Sequence, residues 1–227
     1  METHLQKELK KLEKNLLEMA ALVEMAVSEA VQSLVKRDSD LAQKTFEAEE
    51  KINTMEIAIG DSRLKVLALK HPVAADLRFI TSAMKIITNL ERMGDEAVNI
   101  AERAISLNQE PQLKSYLDIP KMAEITQSMV KDVLNAFVNR DSNLARSVLE
   151  TDDLIDKLND QVMRELLTYV SDDPLMITKV IHLMRVCRCL ERIGDHAANI
   201  AEDVIFMTDA LDNKHHADSG LNNRMSD

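Results

Sequence analysis

Two short acidic motifs, 100 residues apart, carry the side chains best suited to chemistry in this sequence. Residues 91–95 read Glu-Arg-Met-Gly-Asp, and residues 191–195 read Glu-Arg-Ile-Gly-Asp. In an α-helix the Glu and the Asp of each motif stand four residues apart, so both carboxylates lie on the same face. Carboxylate oxygens suit hard cations such as Mg²⁺, Mn²⁺ or iron, and not Zn²⁺ or Cu⁺. The motifs therefore suggest two carboxylate metal sites.

A second segment in each half offers a matching row of oxygen ligands. Four-residue spacing places Asp152 and Asp156 on one helix face, and Glu49 and Asn53 on another. If these faces meet the motifs, oxygens from two helices converge on one ion. The candidate ligands are Glu49, Asn53, Glu56, Glu91, Asp95, Asp152, Asp156, Glu191 and Asp195, with Asn99, Glu102, Asn199 and Glu202 as further candidates.

The same carboxylates also have a purely structural explanation. Glu91 and Glu191 fall in helical rows that are otherwise apolar, and a charge in such a row is costly unless it is paired. An ion pair with an arginine would remove that cost without any metal. The arginines considered for this role are Arg78, Arg92, Arg185 and Arg192. The sequence leaves the ion pair and the metal site open.

Each motif also contains a glycine in mid-helix, and the second motif is followed directly by His196. Glycine in a helix costs roughly 1 kcal/mol relative to alanine, so Gly94 and Gly194 predict that another helix packs closely there. His182 and His196 have no histidine at the equivalent position of the first half. We therefore expect His196 to lie on a solvated flank rather than to bind a metal.

The motifs belong to a longer internal repeat. Residues 97–102 recur as residues 197–202 with one conservative change, and the segment Arg-Asp-Ser at 37–39 recurs at 140–142, an offset of 103. A repeat of this length indicates a duplicated structural unit. Since the offset changes by three between the two blocks, a small length change lies near the prolines that separate them.

Sparse glycine and proline favour long helices. With only 4 Gly and 4 Pro in 227 residues, the chain cannot supply the turns of an all-β fold. Apolar periodicity predicts helices at about 5–36, 41–70, 73–107, 121–138, 144–170 and 174–207. We predict an all-α fold of two tandem, pseudo-symmetric three-helix bundles joined end to end. The bundles comprise residues 1–108 and 121–208, with a linker at 109–120 and a polar, disordered tail at 209–227.

Composition excludes several classes of protein. The net charge of −11 and the lack of a basic cluster argue against nucleic-acid binding. No apolar run of about 18 residues is long enough to span a membrane, and no secretory signal is recognisable, so we expect a cytoplasmic protein that meets membranes only through partners. Cys187 and Cys189 are two residues apart on a helix and are expected to stay reduced. No nucleophile-base set, phosphate loop or Glu-x-x-His motif is present, so we expect no enzyme.

Several of these segments resemble the PhoU family of phosphate-transport accessory proteins. The resemblance rests on residues 91–102 and 191–202, the turns at 37–42 and 139–145, and residues 71–78, and it extends over roughly residues 5–208. It implies a cytoplasmic, usually dimeric, non-enzymatic protein that represses the phosphate-starvation response. The partners implied are the phosphate-sensing histidine kinase and the ATPase of the phosphate ABC transporter.

The family resemblance also implies metal bound through pairs of Glu/Asp-x-x-x-Asp motifs. Carried over to this sequence, the pairs are Glu91 with Asp95, Glu191 with Asp195, Asp152 with Asp156, and Glu49 with Asn53. Asn53 is neutral where the pattern is acidic, so the first site is expected to be the weaker unless Glu56 substitutes. No organic cofactor is expected. The alternative function is a metal-storage or metal-buffering protein, in which the carboxylate clusters are themselves the purpose.

Overall fold

The computed structural model describes residues 4–69, 74–112 and 118–209. Over these residues the chain forms six long α-helices and no strand, which confirms the predicted fold class. The helices are α1 (His4–Val35), α2 (Ser39–Leu69), α3 (Ala74–Asn108), α4 (Ile119–Asn139), α5 (Ser142–Asp172) and α6 (Ile177–Asp209). A 3₁₀ turn at Pro174–Met176 precedes α6, where the sequence predicted α-helix. Residues 113–117 of the predicted linker and 210–227 of the predicted tail lie outside the described residues.

The repeated Arg-Asp-Ser segment forms the same turn in each half. Arg37 and Arg140 adopt a left-handed backbone, with φ of 57° and 52°, just after α1 and α4. The next residues, Asp38 and Asp141, accept hydrogen bonds from backbone N–H groups at the start of α2 and α5. A left-handed residue ends one helix and an aspartate caps the next, so the sequence repeat is also a repeat of local structure.

The helices pack as two bundles that also pack against each other. α1, α2 and α3 form the first bundle, α4, α5 and α6 form the second, and α3 lies along α6. One continuous hydrophobic core extends through both bundles. On both α3 and α6, adjacent residues are buried, for example Ile86 with Ile87 and Val186 with Cys187. Because adjacent residues point to different sides of a helix, α3 and α6 are each covered on two sides. The prediction that the units join end to end was therefore wrong, because this second apolar face needs cover as well.

Ion pairs cross the contact between α3 and α6. Lys85 Nζ lies 3.1 Å from Oδ1 of Asp203, whose side chain is 2% exposed. Arg192 Nη1 lies 2.7 Å from Oε1 of Glu96, which is also buried. A buried carboxylate needs such a partner, so these pairs hold the two bundles in one alignment.

His196 lies in this contact and not on a solvated flank, so that prediction was wrong. Its ring is buried, and Nδ1 lies 3.1 Å from Oδ1 of Asn89 on α3. Burial and the charge of Arg92 lower the pKa of His196, although Glu96 opposes them. The ring is therefore neutral near pH 7 and belongs to the packing between the bundles.

The two cysteines are free thiols, as expected from the sequence. Cys187 and Cys189 are unpaired and buried, and burial raises the pKa of both thiols. Such thiols are poor nucleophiles. Within the three described ranges, none of the helices has the length and apolar content that crossing a bilayer requires.

Both motif glycines lie at close contacts, as predicted. A Cβ added to Gly94 would lie 3.2 Å from Cδ1 of Ile52 on α2. A Cβ added to Gly194 would lie 3.4 Å from Oδ1 of Asp152 on α5. In each bundle the motif helix thus approaches the second helix at the motif itself, and this approach brings the two acidic rows together.

The glycines of α2 and α3 provide a matched test of this packing. Gly60 has nothing within 4 Å of an added Cβ, so Gly60→Ala should raise the free energy of unfolding by about 0.5–1 kcal/mol through helix propensity alone. Gly94→Ala should gain less, because the Ile52 side chain must move by a few tenths of an ångström. Urea unfolding of the two variants measures both values. Equal gains at the two positions would contradict the close approach at Gly94.

Candidate metal centre

The structure brings three of the predicted ligands together in the second bundle. Carboxylate oxygens of Asp156 on α5 and of Glu191 and Asp195 on α6 all lie within 4.8 Å of one another. At metal–oxygen distances of about 2.0–2.6 Å, one ion can contact oxygens about 4–5 Å apart. Across residues 4–69, 74–112 and 118–209, no other set of three acidic, histidine or cysteine ligands has this spacing.

The three carboxylates line the site from the core to the surface. Glu191 is 8% exposed, Asp195 is half-buried and Asp156 is exposed. Glu191 stands in the apolar row of α6, as the sequence predicted, and its Oε2 is buried without a hydrogen-bond partner in the described structure. The site is therefore open to solvent at Asp156 and closed at Glu191.

Asp152 adds a fourth carboxylate one helical turn before Asp156. Its Oδ1 is buried, has no hydrogen-bond partner among the described residues, and lies close to Gly194. Burial and the neighbouring carboxylates, first of all Asp195, raise the pKa of Asp152 to about 6. A buried carboxylate oxygen that no protein donor reaches can be satisfied by a proton, a water molecule or a cation. The donor set therefore fits a hard cation.

Like charges also perturb the two carboxylates of α6. Burial and the charge of Asp195 raise the pKa of Glu191, and burial and the charge of Asp156 raise the pKa of Asp195. The direction is the same at each position because the fold removes these groups from water and places negative charges beside them. The carboxylates of this group therefore repel one another, and a nearby positive charge would reduce that repulsion.

The positive charge that contacts this group belongs to Arg188, which the sequence analysis did not single out. Its Nη1 donates to Oε1 of Glu191 across one turn of α6, and its charge lowers the pKa of both Glu191 and Asp195. Arg192, one of the arginines considered from the sequence, binds Glu96 on α3, and its charge also lowers the pKa of Glu191 and Asp195. The three-residue spacing between Arg188 and Glu191 was the available signal.

The first bundle assembles only part of the equivalent group. Burial and the charges of Asp95 and Glu56 raise the pKa of Glu91, so these three carboxylates lie near one another. Asn53 uses its Nδ2 to donate a hydrogen bond to Oε1 of Glu49. Glu56, predicted as a substitute for Asn53, is thus the α2 carboxylate whose charge reaches Glu91. Within the described part of this bundle, no three ligand atoms reach the spacing found at Glu191.

The further candidate ligands make other contacts. Asn99 and Asn199 donate hydrogen bonds within their own helices. Oε2 of Glu102 lies 3.2 Å from Nη2 of Arg103. Glu202 is half-buried on α6. In the described ranges, neither Glu102 nor Glu202 joins the group formed by the three ligands of the second bundle.

The raised pKa of Asp152 predicts that protonation of this side chain in mild acid stabilises the metal-free protein. Its value of about 6 in the fold lies above the ordinary 3.8, so the folded state binds this proton more tightly than the unfolded state does. The lowered pKa values of His182 and His196 act in the opposite direction over the same range, so the prediction concerns the difference between two proteins. Asp152→Asn should be more stable than wild type at pH 7, and this advantage should shrink as the pH falls from 7 through 6 toward 5.

Chemical unfolding in a chelator at pH 7, 6 and 5 measures these differences. Asp160→Asn is the matched control, because Asp160 is an exposed carboxylate of α5 whose charge is not among those that raise the pKa of Asp152, and it should leave the pH dependence almost unchanged. If wild type and Asp152→Asn change stability identically between pH 7 and 5, the neighbouring carboxylates do not raise the pKa of Asp152.

Comparison with known proteins gives matches in both halves. A family model described as the PhoU domain matches residues 16–104 and 119–204. A phosphate-specific transport system accessory protein PhoU homolog from Pseudomonas putida is 42% identical over 209 residues, which cover 92% of this chain and 82% of that protein. The homolog of the same name from Aquifex aeolicus (strain VF5) is 43% identical, with 92% and 95% covered.

Solved structures agree with the sequence matches. The crystal structure of PhoU from Pseudomonas aeruginosa superposes with a TM-score of 0.90 at 40% identity, covering 92% of this chain and 100% of that one. The phosphate transport system regulatory protein PhoU from Streptococcus pneumoniae superposes with a TM-score of 0.84 at 29% identity, covering 92% and 98%. The similarity therefore includes both bundles and the contact between them.

Proposed function

The chain belongs to the PhoU family, and from this premise we propose that it regulates phosphate uptake as an accessory to the phosphate transport system. The observation that carries the proposal is the family match over both bundles, with relatives that are named accessory proteins of that system. Since the match covers nearly the whole of those relatives, the function proposed is that of the entire protein and not of a shared module.

The more specific proposal concerns the partners and the direction of regulation. The protein acts in the cytoplasm as a homodimer and a negative regulator, and it represses the phosphate-starvation response when phosphate is plentiful. It does so by contacting the phosphate-sensing histidine kinase and the ATPase of the phosphate ABC transporter. The resemblance of its motifs to the family supports this role, as does a six-helix surface that offers long faces for protein contacts.

Metal binding is the second part of the proposal. Asp156, Glu191 and Asp195, with Asp152 beside them, bind Mg²⁺, Mn²⁺ or iron. The support is the grouping of their oxygens within 4.8 Å and the two buried oxygens, of Asp152 and Glu191, that no donor among the described residues reaches. A bound cation would neutralise carboxylates from α5 and α6 and would connect these two helices. The first bundle binds metal more weakly, because Asn53 is neutral.

Loss of the protein should release the phosphate-starvation response. In a strain that lacks the gene, a phosphate-starvation reporter should stay active in high-phosphate medium, and a plasmid copy should restore repression. Normal repression in the deletion strain would rule out the regulatory role. If repression is normal while cellular manganese or iron falls, the protein is instead a metal store, which is the alternative function of the acidic groups.

Removing two carboxylates should abolish metal binding without unfolding the protein. The variant is Asp156→Asn with Asp195→Asn, and its helix content should equal that of wild type. In a chelator it should be more stable than wild type, because two like charges are deleted. Equilibrium dialysis against Mg²⁺, Mn²⁺ or Fe²⁺, followed by elemental analysis, measures the metal bound to each protein.

The controls for this experiment remove adventitious binding. All proteins carry His215→Ala and His216→Ala, so that these adjacent histidines contribute nothing. Asp160→Asn with Glu165→Gln removes two exposed carboxylates of α5 that lie outside the group and should leave metal binding intact. If wild type retains no more metal than the Asp156→Asn, Asp195→Asn variant, the acidic group is structural or a partner surface, and the metal proposal fails.

A further inference from the structure

Arg188 of α6 donates a hydrogen bond to the acidic group of the second bundle, which is formed by Asp156, Glu191 and Asp195. Its guanidinium donates to Oε1 of Glu191, while the other oxygen of that carboxylate, Oε2, is buried and has no hydrogen-bond partner in the described structure. The Glu191 side chain is 10% exposed, whereas that of Arg188 is 59% exposed. A largely solvated cation thus reaches inward to a buried carboxylate.

The contact is not an isolated pair on a helix surface. Glu191 is one of the three carboxylates whose oxygens lie within 4.8 Å of one another, together with Asp156 and Asp195. The guanidinium therefore lies beside a group of negative charges that repel one another. In this position it supplies the positive charge that the repelling carboxylates need.

The first bundle has no arginine at the matching position. With an offset of 100, the residue equivalent to Arg188 is Thr88, whose hydroxyl donates to the carbonyl oxygen of Met84 in its own helix at 3.2 Å. Both halves keep the Glu-x-x-x-Asp pair and an arginine directly after the glutamate, Arg92 or Arg192, whose charge lowers the pKa of that glutamate. Only the second half has a further arginine one turn earlier. Helix formation itself does not need this arginine, because α3 forms with threonine at the equivalent position.

We propose that Arg188 is a built-in counter-cation of the second acidic group, which stabilises the metal-free protein and competes with the metal ion for Glu191. This proposal rests on the metal binding proposed above. A divalent or trivalent ion held by Asp156, Glu191 and Asp195 would lie close to the guanidinium and repel it. Because the Arg188 side chain is largely exposed, it can leave Glu191 for solvent as the ion arrives. Metal binding is then an exchange of one cation for another.

The exchange has a consequence for the two halves of the molecule. The second bundle offers more carboxylates to an ion, and it also opposes the ion with Arg188. The first bundle offers fewer, since Asn53 is neutral, and it has no such competitor at Thr88. Arg188 thus lowers the affinity of the better ligand set and keeps its ion exchangeable.

Removing the charge of Arg188 is the direct test. Arg188→Gln and Arg188→Thr, the latter copying Thr88, should bind Mn²⁺ at least about tenfold more tightly than wild type. In a chelator both variants should have a lower Tm than wild type, so that the rise in Tm on adding Mn²⁺ increases. Calorimetric titration of the full chain with Mn²⁺ gives the affinity, and thermal unfolding with and without Mn²⁺ gives the shift in Tm.

Three control variants separate charge from other effects. Arg185→Gln removes an exposed arginine of the same helix and should change the Mn²⁺ affinity less than about twofold. Arg188→Lys keeps the positive charge and should remain close to wild type. In the Asp156→Asn, Asp195→Asn background, Arg188→Gln should no longer tighten Mn²⁺ binding, which assigns the effect to the second bundle.

The outcomes distinguish this inference from the metal proposal itself. If wild type and Arg188→Gln bind Mn²⁺ equally, Arg188 is only a structural partner of Glu191, and the inference is overturned while the metal centre stands. If neither protein binds Mn²⁺, the metal centre fails and the inference fails with it. If Arg188→Gln binds and wild type does not, the arginine outcompetes the ion, as the inference requires. If Arg188→Lys binds as tightly as Arg188→Gln, competition by charge is overturned.

Discussion

The close contact between α6 and α5 at Gly194 sets the geometry of the acidic group. A Cβ added to Gly194 would lie 3.4 Å from Asp152 Oδ1, at ordinary van der Waals contact, so the two helices pack directly against each other at this position. The same approach lets Glu191 and Asp195 come within 4.8 Å of Asp156 across the two helices. A wider spacing would place water between the rows, and the carboxylates would then behave as ordinary surface groups.

Bringing these carboxylates together creates a charge that the protein can balance in three ways. A proton can bind, as the raised pKa of Asp152, about 6, indicates. Arg188 supplies a guanidinium on Glu191. The proposed hard cation would use the buried oxygens of Asp152 and Glu191 that no donor reaches within the described residues.

Duplication has produced two similar frameworks with different chemistry. The turns capped by Asp38 and Asp141 and the close contacts at Gly94 and Gly194 repeat in both halves. The side chains that face the motifs have diverged, since Asn53 replaces a carboxylate in the first bundle. Where α3 and α6 meet, the halves face each other, and equivalent positions hold Glu96 in one and His196 in the other. The repeat is therefore symmetric in its backbone and asymmetric in its charges.

The sequence by itself determined the six helices, the duplication and the faces that carry the acidic rows. These follow from local rules, because periodicity and four-residue spacing act within one helix and need no knowledge of its neighbours. Only the tertiary structure decided that α3 packs along α6, which buries His196 and directs Arg192 to Glu96. The contact of Arg188 with Glu191 was available from their three-residue spacing on α6, but its place beside Asp156 of α5 follows only from the packing of the two helices. Long side chains have several reachable partners, and the helix that lies opposite selects among them, so one helix's sequence does not contain the answer.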